Sequence, residues 1–241
     1  DAYNVGVGYN AGLSVSTGIK NTIIGGLAGD ALTTGGENVA IGYNALSTED
    51  AHGRNVAVGN DTLASLNAGA EGYNTVVGYG AGYVMTTGTQ NTIVGGLAGD
   101  ALTTGSYNTV LGYGALSSED AHGGNTAIGK YALLTLDAGS DAYNAAVGYD
   151  AGRALSTGAH NTLLGAYAGD ALTTGSYNIA IGKSALSTEN AHGRNVAIGY
   201  AALEAQDAGA DAYNVAVGFN AGNAVTTGLK NTLIGGEAGI T

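Results

Sequence analysis

Cysteine, proline and tryptophan are absent from these 241 residues, and phenylalanine and methionine occur once each. Without cysteine there is no disulfide framework and no thiolate metal site. Without large side chains in number, an ordinary globular core has little to fill it. The apolar fraction is mostly Ala, Val, Ile and Leu, beside 44 glycines and 15 tyrosines. Such a chain buries a core only if the core is thin, with backbone close to backbone. Positive charge is scarce too, and the formal net charge is −12. Phosphate binding needs a basic footprint, so no nucleic-acid partner is expected. No apolar run approaches the length of a membrane span, so no membrane insertion is expected of this segment, and its first residues carry no signal-peptide pattern. The first residues already match Asp141-Ala142-Tyr143-Asn144, and the sequence is expected to be an excerpt of a longer protein.

What is present is a repeat. An asparagine precedes an apolar triplet and a glycine at positions 4, 21, 38, 55, 74, 91, 108, 125, 144, 161, 178, 195, 214 and 231. The steps are 17, 17, 17 and 19, and the series then recurs, so fourteen units of about 17 residues form a 70-residue super-repeat. The whole of 1–241 is therefore expected to be one array, with super-repeats 4–73, 74–143 and 144–213 and a partial one at 214–241. The recurring structural pairs begin Asn4 and Gly8, Asn21 and Gly25, Asn38 and Gly42, Asn55 and Gly59, Asn74 and Gly78, Asn91 and Gly95. Ala stands seven places after every Asn except where Thr62 replaces it, and the next position runs Gly, Gly, Leu, Leu. A short period of this kind predicts an all-β fold, a parallel β-solenoid of fourteen coils.

The triplet carries the packing argument. Its third residue is always Val, Ile or Leu, and its first is Val, Thr, Ile or Ala. Side chains alternate along a strand, so these two share a face. The middle residue is never polar, and both faces are thus built for burial, as in sheets covered on two sides. One face can point into the coil. The other calls for a second apolar layer, most simply from copies of the same chain, and a homotrimer is the expected assembly. An Asn at the same corner of successive coils can stack its amide on those above and below. The Gly permits a positive φ or a close approach at the turn, and Thr-Gly pairs such as Thr34-Gly35 mark the opposite turn.

The strand motif reads Asn38-Val39-Ala40-Ile41-Gly42, Asn125-Thr126-Ala127-Ile128-Gly129 and Asn195-Val196-Ala197-Ile198-Gly199. It resembles the head repeat of trimeric autotransporter adhesins of the YadA-like kind, whose repeat is shorter. The longer form, as in Asn108-Thr109-Val110-Leu111-Gly112-Tyr113-Gly114-Ala115-Leu116, is similar to repeats in bacteriophage tail fibres. The resemblance implies a left-handed parallel β-roll, a trimer and an extracellular place, on a virion tail fibre or a bacterial surface.

Few residues suggest chemistry. Gly6-Val7-Gly8-Tyr9-Asn10-Ala11 imitates a dinucleotide fingerprint, and Gly124–Lys130 most of a phosphate loop, but these glycines are the repeat's own and no long helix follows. Asp30, Asp100 and Asp170 recur in register, as do Glu49-Asp50, Glu119-Asp120 and Glu189-Asn190. They are expected to form a solvated acidic face, with calcium as the sharper alternative. His52, His122 and His192 are expected as surface turn residues, and no metal, cofactor or catalytic group is assigned. Tyr9, Tyr43, Tyr79, Tyr113, Tyr149 and Tyr200 follow the repeat glycine, with Phe219 in the same place, while Tyr3, Tyr73, Tyr107, Tyr143, Tyr177 and Tyr213 precede the Asn. Such rings can cover an apolar seam. The first set supplies the candidate binding residues for a cell-surface glycan or protein receptor. A structural and adhesive fibre, not an enzyme, is the expected function, with phage tail fibre ahead of bacterial adhesin. A monomeric ligand- or ice-binding solenoid stands behind both, because the first triplet position mixes Thr22 with Val5, Val39 and Ala145.

Overall fold

The computed structural model describes residues 2–240. The protein is all-β, a parallel β-solenoid of fourteen turns with one three-residue strand in each. Two compact units divide it, residues 1–123 and 124–241. The first holds seven strands, from β1 (Val5–Val7) to β7 (Thr109–Leu111), and the second seven more, from β8 (Thr126–Ile128) to β14 (Thr232–Ile234). Inside each unit every strand pairs in parallel with the next and in perfect repeat register: Ile23 faces Ala40 and Ala40 faces Ala57, as Leu163 faces Ala180 and Ala180 faces Ala197. Equivalent residues of neighbouring coils thus stack directly over one another.

The middle residue of the triplet is the one that points inward. Ile23, Ala40, Ala57, Val76, Ile93 and Val110 are buried in the first unit, and Ala127, Ala146, Leu163, Ala180, Ala197 and Ala216 in the second. Beyond the strand, further core columns lie seven and eight places after each Asn. The residue at the eighth place has a left-handed backbone whether it is Gly29 (φ 48°) or Leu46 (φ 52°). A leucine there costs about 1–2 kcal/mol in backbone energy, which burying its side chain offsets by a similar amount or more. Size is shared between columns. Where the strand offers Ile23, Ile93 or Leu163, the eighth place is Gly29, Gly99 or Gly169; where the eighth place is Leu46, Leu63 or Leu186, the strand offers Ala40, Ala57 or Ala180. A Cβ built on Gly99 would stand 3.2 Å from Ile93 Cδ1, so the room that glycine leaves is already taken. Val110 with Leu116 is the one pairing that carries bulk on both sides.

The asparagine ladder forms, but the amides bind mainly backbone. In the first unit Asn21 Oδ1 accepts the N–H of Asn38 at 2.9 Å, and Asn38 Oδ1 accepts that of Asn55 at 3.0 Å. Asn21 Nδ2 donates to the carbonyl of Gly35 at 2.9 Å, across the coil. The second unit repeats this with Asn144, Asn161 and Asn178. Direct amide-to-amide bonds occur only in places, such as Asn161 Nδ2 to Asn144 Oδ1 at 3.1 Å. A buried amide makes sense where its oxygen and nitrogen both find partners, as those of Asn21 and Asn161 do. At the strand's end Gly25 has φ 134°, and a Cβ on it would collide with the backbone carbonyl of Gly42. Glycine is required there twice over, by dihedral and by stacking.

Candidate functional surface

Eleven places after each Asn runs the last core column. It reads Val15, Leu32, Glu49, Leu66, Met85, Leu102 and Glu119 in the first unit, and Leu136, Leu155, Leu172, Glu189, Gln206 and Val225 in the second. Glu49, Glu119 and Glu189 are therefore fully buried, not members of a solvated acidic face. The reason is local. Glu49 Oε1 accepts the N–H of His52 and Oε2 that of Ala68, each at 3.0 Å, where the chain makes its irregular corner before the 19-residue step. The carboxylate closes a turn whose amides have no ladder to join. Asp50 beside it is exposed.

The histidines of this corner are half-buried, not simply on the surface. His52 Nδ1 lies 3.6 Å from Glu49 Oε1, and His122 Nδ1 lies 3.2 Å from Glu119 Oε1. Glu49, Asp50 and His52 bring possible metal-ligand atoms together, as do Glu189, His192 and Asp207. At Glu49, however, both carboxylate oxygens are already engaged by backbone N–H groups, and such a carboxylate is a fastening for the turn. At Glu189, burial pushes the carboxyl above its ordinary range, against the backbone N–H groups of His192 and Ala208 that favour its charge.

Two surface columns carry the tyrosines. Residues just before each Asn sit in the left-handed region and point outward, a feature the sequence does not announce, because Lys, Glu, Arg, Tyr and His all occupy the place. In the first unit this column is a charge ladder: Lys20 Nζ is 3.2 Å from Glu37, Arg54 Nε donates to Glu37 at 3.0 Å, and Arg54 Nη1 donates to the Tyr73 hydroxyl at 2.7 Å. Arg54 and then Lys20 hold the Glu37 carboxyl below its ordinary range. In the second unit it becomes a stack. His160 lies between Tyr143 and Tyr177, with ring centroids 5.7 and 5.0 Å away and planes nearly parallel, and Arg194 covers both Tyr177 and Tyr213.

The other column holds the six candidate binding tyrosines, all exposed. In the first unit Tyr43 lies against Gly26 and Tyr113 against Gly96, so small residues on alternate coils make room for each ring. In the second, Tyr149 meets Tyr167 edge-on at 5.4 Å and Tyr200 stacks on Phe219 at 5.2 Å. The rings are thus held by neighbours while much of each stays open to solvent. No family model, curated protein or solved structure matches this chain.

Proposed function

We propose that the chain is a segment of an extracellular structural and adhesive fibre, a shaft or head of the bacteriophage tail-fibre type, assembled as a homotrimer and serving attachment to a host surface. The observation that carries this reading is the outward strand face. In the first unit Ile24 and Leu111 stand on it, in the second Leu164 and Ile179, and each is left at least a third exposed. A continuous apolar stripe on the outside of a repetitive coil is costly in water and marks a surface meant to be covered. Identical copies cover it most simply, since one stacking period then matches another along its length. The exposed tyrosines Tyr9, Tyr43, Tyr79, Tyr113, Tyr149 and Tyr200 then serve as the rings on which a surface glycan or receptor rests.

Light scattering coupled to size exclusion tests the assembly. Three copies of the 23.5 kDa chain give a mass of about 70 kDa. A mass of one chain would remove the basis for the trimeric fibre. Binding of the segment to host cells is expected to fall when the six tyrosines are changed to alanine, and unchanged binding would end their proposed role.

A further inference from the structure

In the first unit the column that follows the repeat glycine alternates. Tyr9, Tyr43, Tyr79 and Tyr113 stand on every second coil, with Gly26, Asn60 and Gly96 on the coils between. Each ring is at least half exposed. Tyr43 reaches back over Gly26, its Cδ2 3.6 Å from where a Cβ would stand, and Tyr113 reaches over Gly96 in the same way at 3.5 Å. A ring laid across two coils rests one side on the protein and turns the other outward. The second unit shows what the glycines prevent. There Tyr200 and Phe219 occupy neighbouring coils and stack, with centroids 5.2 Å apart and planes 13° from parallel, so each ring hides a face of the other.

The alternation sets a spacing. Neighbouring coils lie about 4.8 Å apart, so the rings recur roughly every 10 Å along the stacking direction. An extended β-(1→4)-linked pyranose chain has the same rhythm. Its equatorial linkages turn each sugar over relative to the last, so the same face returns every second sugar, and one sugar covers close to the length of one coil. The C–H groups of that face pack on an aromatic ring, while the hydroxyls at the sugar's edge need polar partners. Asp61 stands between Tyr43 and Tyr79 one place further along the coil, its carboxylate oriented by the amides of Asn44 and Asn60 at 2.9 Å each. It borders a concavity of about 230 Å³ beside Tyr79, whose lining also includes Tyr83 and Asp100. Charge narrows the ligand further. Lys20 and Arg54 are the sole lysine and arginine of the first unit, and both are tied to Glu37. A polyanion would meet carboxylates there without a cation to pair with, so the surface suits an uncharged chain.

We propose that the first unit binds a neutral β-(1→4)-linked polysaccharide, laid along the coils with every second sugar on a tyrosine. This rests on the reading of these tyrosines as surface-binding rings, and narrows it to one chemical class and to four of the six positions.

Calorimetric titration with cellohexaose and with hexa-N-acetylchitohexaose tests the proposal, the first a plain chain and the second one bearing acetamido groups, with the coiled, α-linked maltohexaose as control. At least one β-linked hexamer is expected to bind, and maltohexaose is not. A chain of three or four sugars spans two rings and a chain of five spans three, so the step from four sugars to five should raise affinity about tenfold, well beyond the step from three to four. Tyr43→Ala with Tyr79→Ala should remove that gain. Gly26→Tyr with Gly96→Tyr adds two rings and is nevertheless expected to weaken binding, because neighbouring rings then stack; Ala166 and Lys183 at the same place in the second unit show that side chains fit there. Absence of binding by both β-linked hexamers, equal binding of maltohexaose, or tighter binding after the glycine changes would each overturn the proposal. Attachment of the segment to host cells that neither β-linked hexamer competes away would also overturn it, and would leave the attachment reading standing.

Discussion

Glu49 Oε2 accepts a hydrogen bond from the backbone N–H of Ala68 at 3.0 Å, nineteen residues further along the chain. The long step of the first super-repeat is thus tied to the coil before it by a buried carboxylate. Leu32 and Leu66 flank Glu49 in the same core column, which makes a sharp experiment available. Glu49→Leu restores the apolar pattern and fills the volume, yet leaves two buried N–H groups without an acceptor. Each such loss costs about 1–3 kcal/mol. The expected result is a less stable protein, with amide hydrogen exchange at His52 and Ala68 accelerated more than at Asn38.

The strand-end glycines predict a contrast between two positions. Gly25→Ala forces a side chain into a dihedral that costs roughly 1–3 kcal/mol by itself and into the Gly42 carbonyl as well. Gly69, with φ 67° and open space where a Cβ would go, accepts Asn with little change. Urea midpoints of the two variants should separate widely.

Core volume is exchanged between columns, and a double-mutant cycle reads this directly. Leu46→Ala is expected to cost about 2–5 kcal/mol. Ala40→Ile, damaging alone through overpacking, should recover part of that loss when combined with Leu46→Ala, because the pair then approaches the Ile23 and Gly29 arrangement. Additive losses would mean that the two columns do not share space.

Acid should strengthen part of the structure. Burial raises the carboxyl groups of Asp100, Asp170 and Glu189 above the ordinary 3.8 and 4.5, so the folded state holds their protons when the unfolded chain has released them. Their contribution is therefore neutral below the ordinary values and turns unfavourable as pH rises through the raised ones. Thermal midpoints are expected to increase as pH is lowered from above the raised values towards the ordinary carboxylate range, and Asp100→Asn with Asp170→Asn should flatten that slope.

Much of the architecture is legible before any coordinates, because a solenoid writes its geometry into its period. Asn38, Gly42 and the triplet between them name the corner, the turn and the strand. The spacing also yields which residues share a face, since side chains alternate. What it leaves open is which face turns inward, and the small Ala40 and Ala57 of the middle position settle that only once the leucines at 46 and 63 are seen opposite them. Glu49 is misleading for a physical reason. Its charge argues for water, while its position in the column of Leu32 and Leu66 argues for the core, and the backbone N–H groups that reconcile the two belong to a turn no periodicity describes. The candidate tyrosines were visible as a column, but the concavity of Asp61, Tyr79, Tyr83 and Asp100 draws on three coils and leaves no motif.

One branched side chain often serves two coils. Ile23 Cδ1 lies 2.9 Å from where a Cβ on Gly12 would be and 3.5 Å from one on Gly29, and Leu163 likewise fills the places left by Gly152 and Gly169. Removing a single coil would break the Gly, Gly, Leu, Leu order and part such a side chain from one of the glycines whose space it fills. Genetic gain or loss of sequence in this array is therefore phased: the smallest segment that can be duplicated or deleted without repacking is the 70-residue block of four coils, and natural length variants should differ by whole blocks.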